Sequence, residues 1–168
     1  MGLLHVLRDG ASEEISRWVS VLDDDGPGRP ECKFKVAYLS QDVADNIGRR
    51  VRQATSDRRE QERSMRRMTL RACTRDWQGL TKTNLMRLCD YFLTHPDAVR
   101  DLPDEIPFDA EDLDSIAGSI GLVPYGRILE AAIALDEFVR ERMEQEKKDS
   151  ARSSASANVD SPQSPARA

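Results

Sequence analysis

Ten of the thirty residues from Asn46 to Arg75 are arginine: Arg49, Arg50, Arg52, Arg58, Arg59, Arg63, Arg66, Arg67, Arg71 and Arg75. A segment so charged stays ordered only if its apolar residues fall on one face, and these do. Val43, Ile47, Val51 and Ala54 follow at steps of four, four and three, which is a helical stripe. Residues 55–64 contain no large apolar side chain, and the period resumes at Met65, Met68 and Ala72. The spacing predicts one long basic helix over about 41 to 75, its polar middle exposed, kinked or used for docking. Ser40 suits its N-cap, and Asp42 sits in the first turn, where the helix dipole favours an acid. The segment runs into Asp76-Trp77-Gln78-Gly79-Leu80, where Trp77 and Leu80 are expected to act as structural anchors at a helix junction.

Upstream, Ile15 to Leu22 is β-branched, and Lys33 to Tyr38 alternates polar with apolar. Residues 23–30, Asp-Asp-Asp-Gly-Pro-Gly-Arg-Pro, are turn formers whose prolines cannot sit inside a ladder. A β-hairpin is predicted, with Phe34, Val36 and Tyr38 on one face and Lys33 and Lys35 on the other. A lone hairpin is marginal and has to lie on the helices or on another chain.

Downstream, Thr81 or Thr83 caps a helix with the face Leu85, Leu88, Phe92, stopped at Pro96. Residues 97–107 read as an acidic loop. Asp109 caps a third helix with Asp112 in a capping-box position, ended by Gly121. Pro124 opens the last helix, whose stripe of Ile128, Leu135, Phe138 and Met143 fades near Lys147. Beyond Asp149 no apolar pattern survives, and disorder is expected. The fold class is therefore α+β and mainly helical: an N-terminal β-hairpin, a long basic helix, two or three shorter helices and a disordered C-terminal tail. The segments are 1–40 for the hairpin, 41–148 for the helical core of the same compact domain, and 149–168 for the tail.

Charge is distributed in blocks. The net charge of −5 divides into −4 for residues 1–48, +7 for 49–96, −9 for 97–149 and +1 for the remainder. Such blocks point to electrostatic docking of the middle on the C-terminal part, on a second copy or on an acidic partner. Three cysteines, Cys32, Cys73 and Cys89, without CxxC spacing argue against a disulfide framework or a zinc site. The opening residues 1–8 hold too short an apolar run for a secretory signal, Val6 stands where a myristoylation signal wants Ser or Thr, and no run reaches membrane-spanning length. A cytoplasmic protein is expected.

No catalytic, metal-ligating or cofactor-binding set can be assembled. His5 and His95 are the only histidines, and there is no glycine-rich phosphate loop. The candidate protein-binding residues are Val43, Ile47, Val51, Arg58, Arg59, Arg63, Met65, Arg66 and Met68. Arginine meeting protein carboxylates is preferred over arginine meeting phosphate, because the chain is acidic overall and its aromatics are few. Nucleic acid is accordingly the lesser reading, and membrane none.

Lys35-Val36-Ala37-Tyr38-Leu39-Ser40 opening a basic helix, Asp76-Trp77-Gln78-Gly79-Leu80 after it, and Ile106-Pro107-Phe108-Asp109 leading to further helices stand in a recognisable order. Across residues 15–148 the chain resembles the tail assembly chaperones of long-tailed bacteriophages. The resemblance implies a non-enzymatic protein without cofactors. It would coat the helical, aggregation-prone tape measure protein, help recruit tail tube subunits, and form homo-oligomers. The alternatives are a nucleic-acid-binding or regulatory protein using the arginine helix, and a structural head–tail component.

Overall fold

The computed structural model describes residues 15–156, with side chains to residue 152. Strands β1 (Ser16–Leu22), β2 (Cys32–Ala37) and β3 (Thr74–Gln78) form an antiparallel sheet in that order. The helices are α1 (Gln41–Ala54), α2 (Arg58–Cys73), α3 (Lys82–Leu88), α4 (Asp90–Thr94), α5 (Ala110–Ser119), α6 (Leu122–Ile133) and α7 (Leu135–Ser156), with a 3-10 turn at Pro96–Val99 inside the acidic loop. The chain is the mainly helical α+β fold that its patterning predicts. Among the described residues, no helix is long and apolar enough to cross a membrane.

The predicted hairpin forms, and its alternation decides its inner face. Cys32, Phe34 and Val36 are fully buried, whereas Lys33 and Lys35 face outward. Arg17, Val19 and Val21 of β1 share the inner side with them, Val19 opposite Phe34. The turn places Gly26 and Gly28 at positive φ.

A third strand then corrects the end of the basic helix. Arg75 is not helical, and Trp77 is not at a helix junction. The chain leaves α2 at Thr74 in extended conformation and pairs with β2, Phe34 opposite Trp77. The open side of β2 supplies backbone partners there, a tertiary reward that helical spacing cannot register.

The long helix is also two helices. Thr55 is extended, and the Asp57 side chain accepts from the N–H groups of Arg59 and Glu60, at 2.8 and 3.1 Å, opening α2 afresh. The Gln61 amide donates to the Thr55 carbonyl at 2.8 Å. Thr-Ser-Asp thus offers the backbone side-chain partners in place of helical ones, and three residues turn the chain. Ser40 and Asp109 cap α1 and α5 as expected, and Thr81 rather than Thr83 caps α3.

Further expectations are revised in the same way. The helix after Thr81 breaks at Cys89, whose extended backbone bridges to Ile120 while Gly121 N–H donates to the Leu88 carbonyl at 2.8 Å. Gly121 therefore starts α6 instead of ending α5, and Pro124 falls in the first turn of α6. The last helix is divided at Ala134, which leaves helical geometry. Helix α7 continues through Ser156, so residues 149–156 of the expected tail are helical, and residues 157–168 lie outside the described residues, as do His5 and the rest of 1–14. Met143, placed in the core by its spacing, is exposed, while Glu141, Arg142 and Gln145 occupy the side of α7 that faces β1.

One core joins sheet and helices. Helix α6 covers the inner side of β1 and β2, α2 packs between α1 and α5, and Phe34, Leu70, Leu80, Leu88, Ile120, Ile128 and Phe138 are fully buried. Trp77 is buried in it. Its ring meets Phe108 edge-on at 4.7 Å and Phe34 at 5.8 Å, and its indole N–H donates to the Ile106 carbonyl at 2.8 Å. Leu80 follows, fully buried, its carbonyl accepting from Ile106 N–H at 2.8 Å.

Candidate protein-docking clefts

The break between α1 and α2 decides where the candidate residues end up. Because α1 folds back along α2, the apolar stripe of the predicted single helix becomes two facing half-stripes with a cleft at each border. Ile47 and Val51, at 6 and 2 % exposure, belong to the core, and Met65 and Met68 are half-buried against it. Val43 is exposed at 44 %.

The first cleft, of about 360 Å³, lies between the start of α2 and the start of α6. Val51, Met65, Leu122 and Tyr125 give it an apolar lining, and Arg52, Arg58 and Arg66 stand around it with Gln61 and Glu62. The second, of about 460 Å³, opens between α1 and α2, lined by Val43, Ile47, Met68 and Ala72 with Arg50 and Arg71 at its edge. Of the candidates, Val51, Arg58, Met65 and Arg66 meet in the first cleft, and Val43, Ile47 and Met68 in the second. Arg59 and Arg63 line neither and are exposed on α2.

The arginines divide into two groups. Those towards the end of α2 are held by the protein itself: the Arg71 guanidinium lies 3.3 Å from the Asp114 carboxylate, and Arg66 donates to the Ile120 carbonyl at 2.9 Å. Arg67 closes over Gly118 of the same helix α5. Acidic α5 thus answers part of the basic block through Asp114, the first of the three dockings to which the charge blocks point. Arg58 makes only an exposed i,i+4 pair with Glu62 at 3.3 Å, which contributes a few tenths of a kcal/mol, about 0.3 to 0.5. Arg49, Arg50, Arg52, Arg59 and Arg63 have no ion-pair partner among the described residues.

Leu122 and Val123 are the residues that pattern reading missed. They are 75 and 71 % exposed at the head of α6. Two consecutive large apolar residues just before Pro124 were the available signal, hidden because the helix was expected to begin at that proline. A third cleft, of about 560 Å³, separates β1 from α7. There Arg17 pairs with Glu137 and Glu141 and lies over the Phe138 ring at 5.4 Å, which fastens α7 to the sheet.

The chemically reactive groups stand elsewhere. His95 stacks on Tyr91 at 4.3 Å on the surface. Among the described residues no group of three His, Cys, Asp or Glu has the arrangement of a metal site. All three cysteines are fully buried, and burial pushes the thiols of Cys32 and Cys89 up to about 12 and that of Cys73 to about 11. Their thiolate fraction in the native state is then roughly a hundred- to a thousandfold below that of a free thiol. Labelling with a thiol reagent at pH 8 should therefore be negligible on the folded chain and reach three equivalents in denaturant; rapid native labelling would contradict this burial. No protein-family model, curated protein or solved structure matches the chain.

Proposed function

We propose that this chain is a phage tail assembly chaperone, a non-enzymatic protein that works by binding other proteins in the host cytoplasm. Its client would be the tape measure protein, held soluble while tail tube subunits are recruited around it. The observation that supports this most is the first cleft: an apolar lining open to solvent beside Leu122 and Val123, ringed by arginines. A holding protein needs such a surface, apolar enough to take up a client's exposed stripe and charged enough at the margin to keep the complex dissolved. The order of signatures from Lys35 to Asp109 is what suggests the family. An environment-sensitive apolar dye bound to the chain, titrated with a soluble tape-measure fragment, tests it. Displacement of the dye at stoichiometric fragment is expected, and no displacement removes the reading.

The exposed arginines without ion-pair partners among the described residues favour one second reading, binding to nucleic acid. A duplex mobility shift across a salt series decides it, since every phosphate that the protein neutralises releases counterions and steepens the salt dependence. No shift at low salt, or a shift insensitive to salt, eliminates that reading.

A further inference from the structure

We infer that the cleft between α2 and α6 takes an acidic amphipathic helix, its apolar stripe on Val51, Met65, Leu122 and Tyr125 and its carboxylates on the arginine rim. The inference rests on the chaperone reading and adds the polarity and secondary structure of the segment held. The walls are two helices, not an open sheet edge, so an incoming strand would find no backbone row to pair with. A helix presenting residues at i, i+3, i+4 and i+7 fits between helices.

The chemistry of the partner follows from the rim. Arg66 is positioned by the Ile120 carbonyl, which fixes its charge at the cleft, and Arg52 has no ion-pair partner among the described residues. Arg58, 91 % exposed, is matched only by Glu62. Three arginines against Glu62 leave the rim net positive, so carboxylates flanking the stripe would be attracted to it and a lysine-flanked helix repelled. Nucleic acid answers the arginines but offers no apolar counterpart to Leu122, Val123 and Met65. A second copy's α7 carries six acids against five bases, and its Phe138 and Val139 are already buried in its own core, so it offers neither the charge nor the apolar stripe. A dedicated acidic helix satisfies both halves of the site.

The test uses the full chain and two fluorescein-labelled helical peptides of equal length with one leucine stripe, flanked by glutamate in one and by lysine in the other. By anisotropy the glutamate peptide should bind about tenfold tighter or more, with the difference shrinking in high salt. Leu122→Ser with Val123→Ser should weaken it about fivefold or more, and Arg52→Glu with Arg58→Glu should reverse the preference. All four positions are exposed, so folding is retained. Equal binding of the two peptides, or glutamate-peptide binding unchanged in both variants, overturns the inference. So does concentration-dependent self-association that disappears in the serine variant, which would give the cleft to a second copy, or displacement of the peptide by duplex. If the tape-measure fragment displaces dye while neither peptide binds, the chaperone reading stands and this inference falls. If the glutamate peptide binds while the fragment does not compete, the reverse holds.

Discussion

Substituting alanine for Gly79 is expected to destabilise the protein by about 3 kcal/mol, lowering the melting midpoint by roughly 10 °C. Two independent costs combine there. Gly79 has φ +70, a left-handed conformation that an L side chain enters at about 1–2 kcal/mol. A Cβ in that position would also run into the carbonyl oxygen of Glu31, with Cys32 Cα only 3.6 Å away. The obstacle is backbone at the start of β2, so relief requires moving a strand, not rotating a side chain. The site is held from a third side as well. Asn84, fully buried, donates through its amide to the Gly79 and Pro30 carbonyls, each at 2.8 Å, which clamps the turn to the strand entry. Gly26→Ala is the control. Gly26 also has positive φ, at +102, but nothing lies within 4 Å of a Cβ there, so only the conformational term of about 1–2 kcal/mol applies. Equal losses for the two variants in urea denaturation would show that the Glu31 carbonyl does not limit this turn.

Why the turn at Gly79 was legible only as a turn, and not as the hinge of a third strand, has a physical explanation. Asp-Trp-Gln-Gly-Leu marks a stop by its glycine, and Trp77 and Leu80, both buried, read as anchors. Residues 74–78 hold no alternation to mark a strand, because a register shift between Lys35 and Val36 interrupts the ladder they join. Where a partner strand supplies the stabilisation, local spacing is silent. The hairpin was legible because Phe34 and Val36 alternate with Lys33 and Lys35. The caps at Ser40, Thr81 and Asp109 were legible because capping is local chemistry. The break at Thr55 was visible only as an absence of apolar residues, and its cause lies in side chains bonding to nearby backbone. Of the cleft, the α1 and α2 residues could be found from the stripe. Leu122 and Tyr125 could not, since their arrival depends on Gly121 meeting Leu88 across 33 positions of chain.

Truncating Trp77 to alanine is expected to cost about 4 kcal/mol, because three separate interactions end on this ring. The indole is 4 % exposed and packs on Phe34 and Phe108, so its removal leaves a cavity between the sheet and the segment leading into α5. The loss also strands the Ile106 carbonyl, which accepts the indole N–H at 2.8 Å. Ile106 is tied by its own N–H to Leu80, and a bridge joins Thr81 to Glu105, so the segment runs antiparallel beside the chain that follows the strand. Trp77→Phe separates the contributions. Phenylalanine keeps the aromatic packing in part and removes the donor, for an expected loss of about 2 kcal/mol, of which the orphaned carbonyl accounts for one half or more. The unfolding midpoint of each variant in urea measures both numbers, and hydrogen exchange localises them. In Trp77→Phe, Ile106 N–H should exchange faster while Val36 N–H keeps its protection, because the strand pairing does not depend on the indole donor. Unchanged exchange at Ile106 would mean that the Leu80 bond alone holds the segment. In that case the tryptophan serves the fold by volume only, and the backbone bond from Ile106 to Leu80 is what ties this segment to the chain after β3.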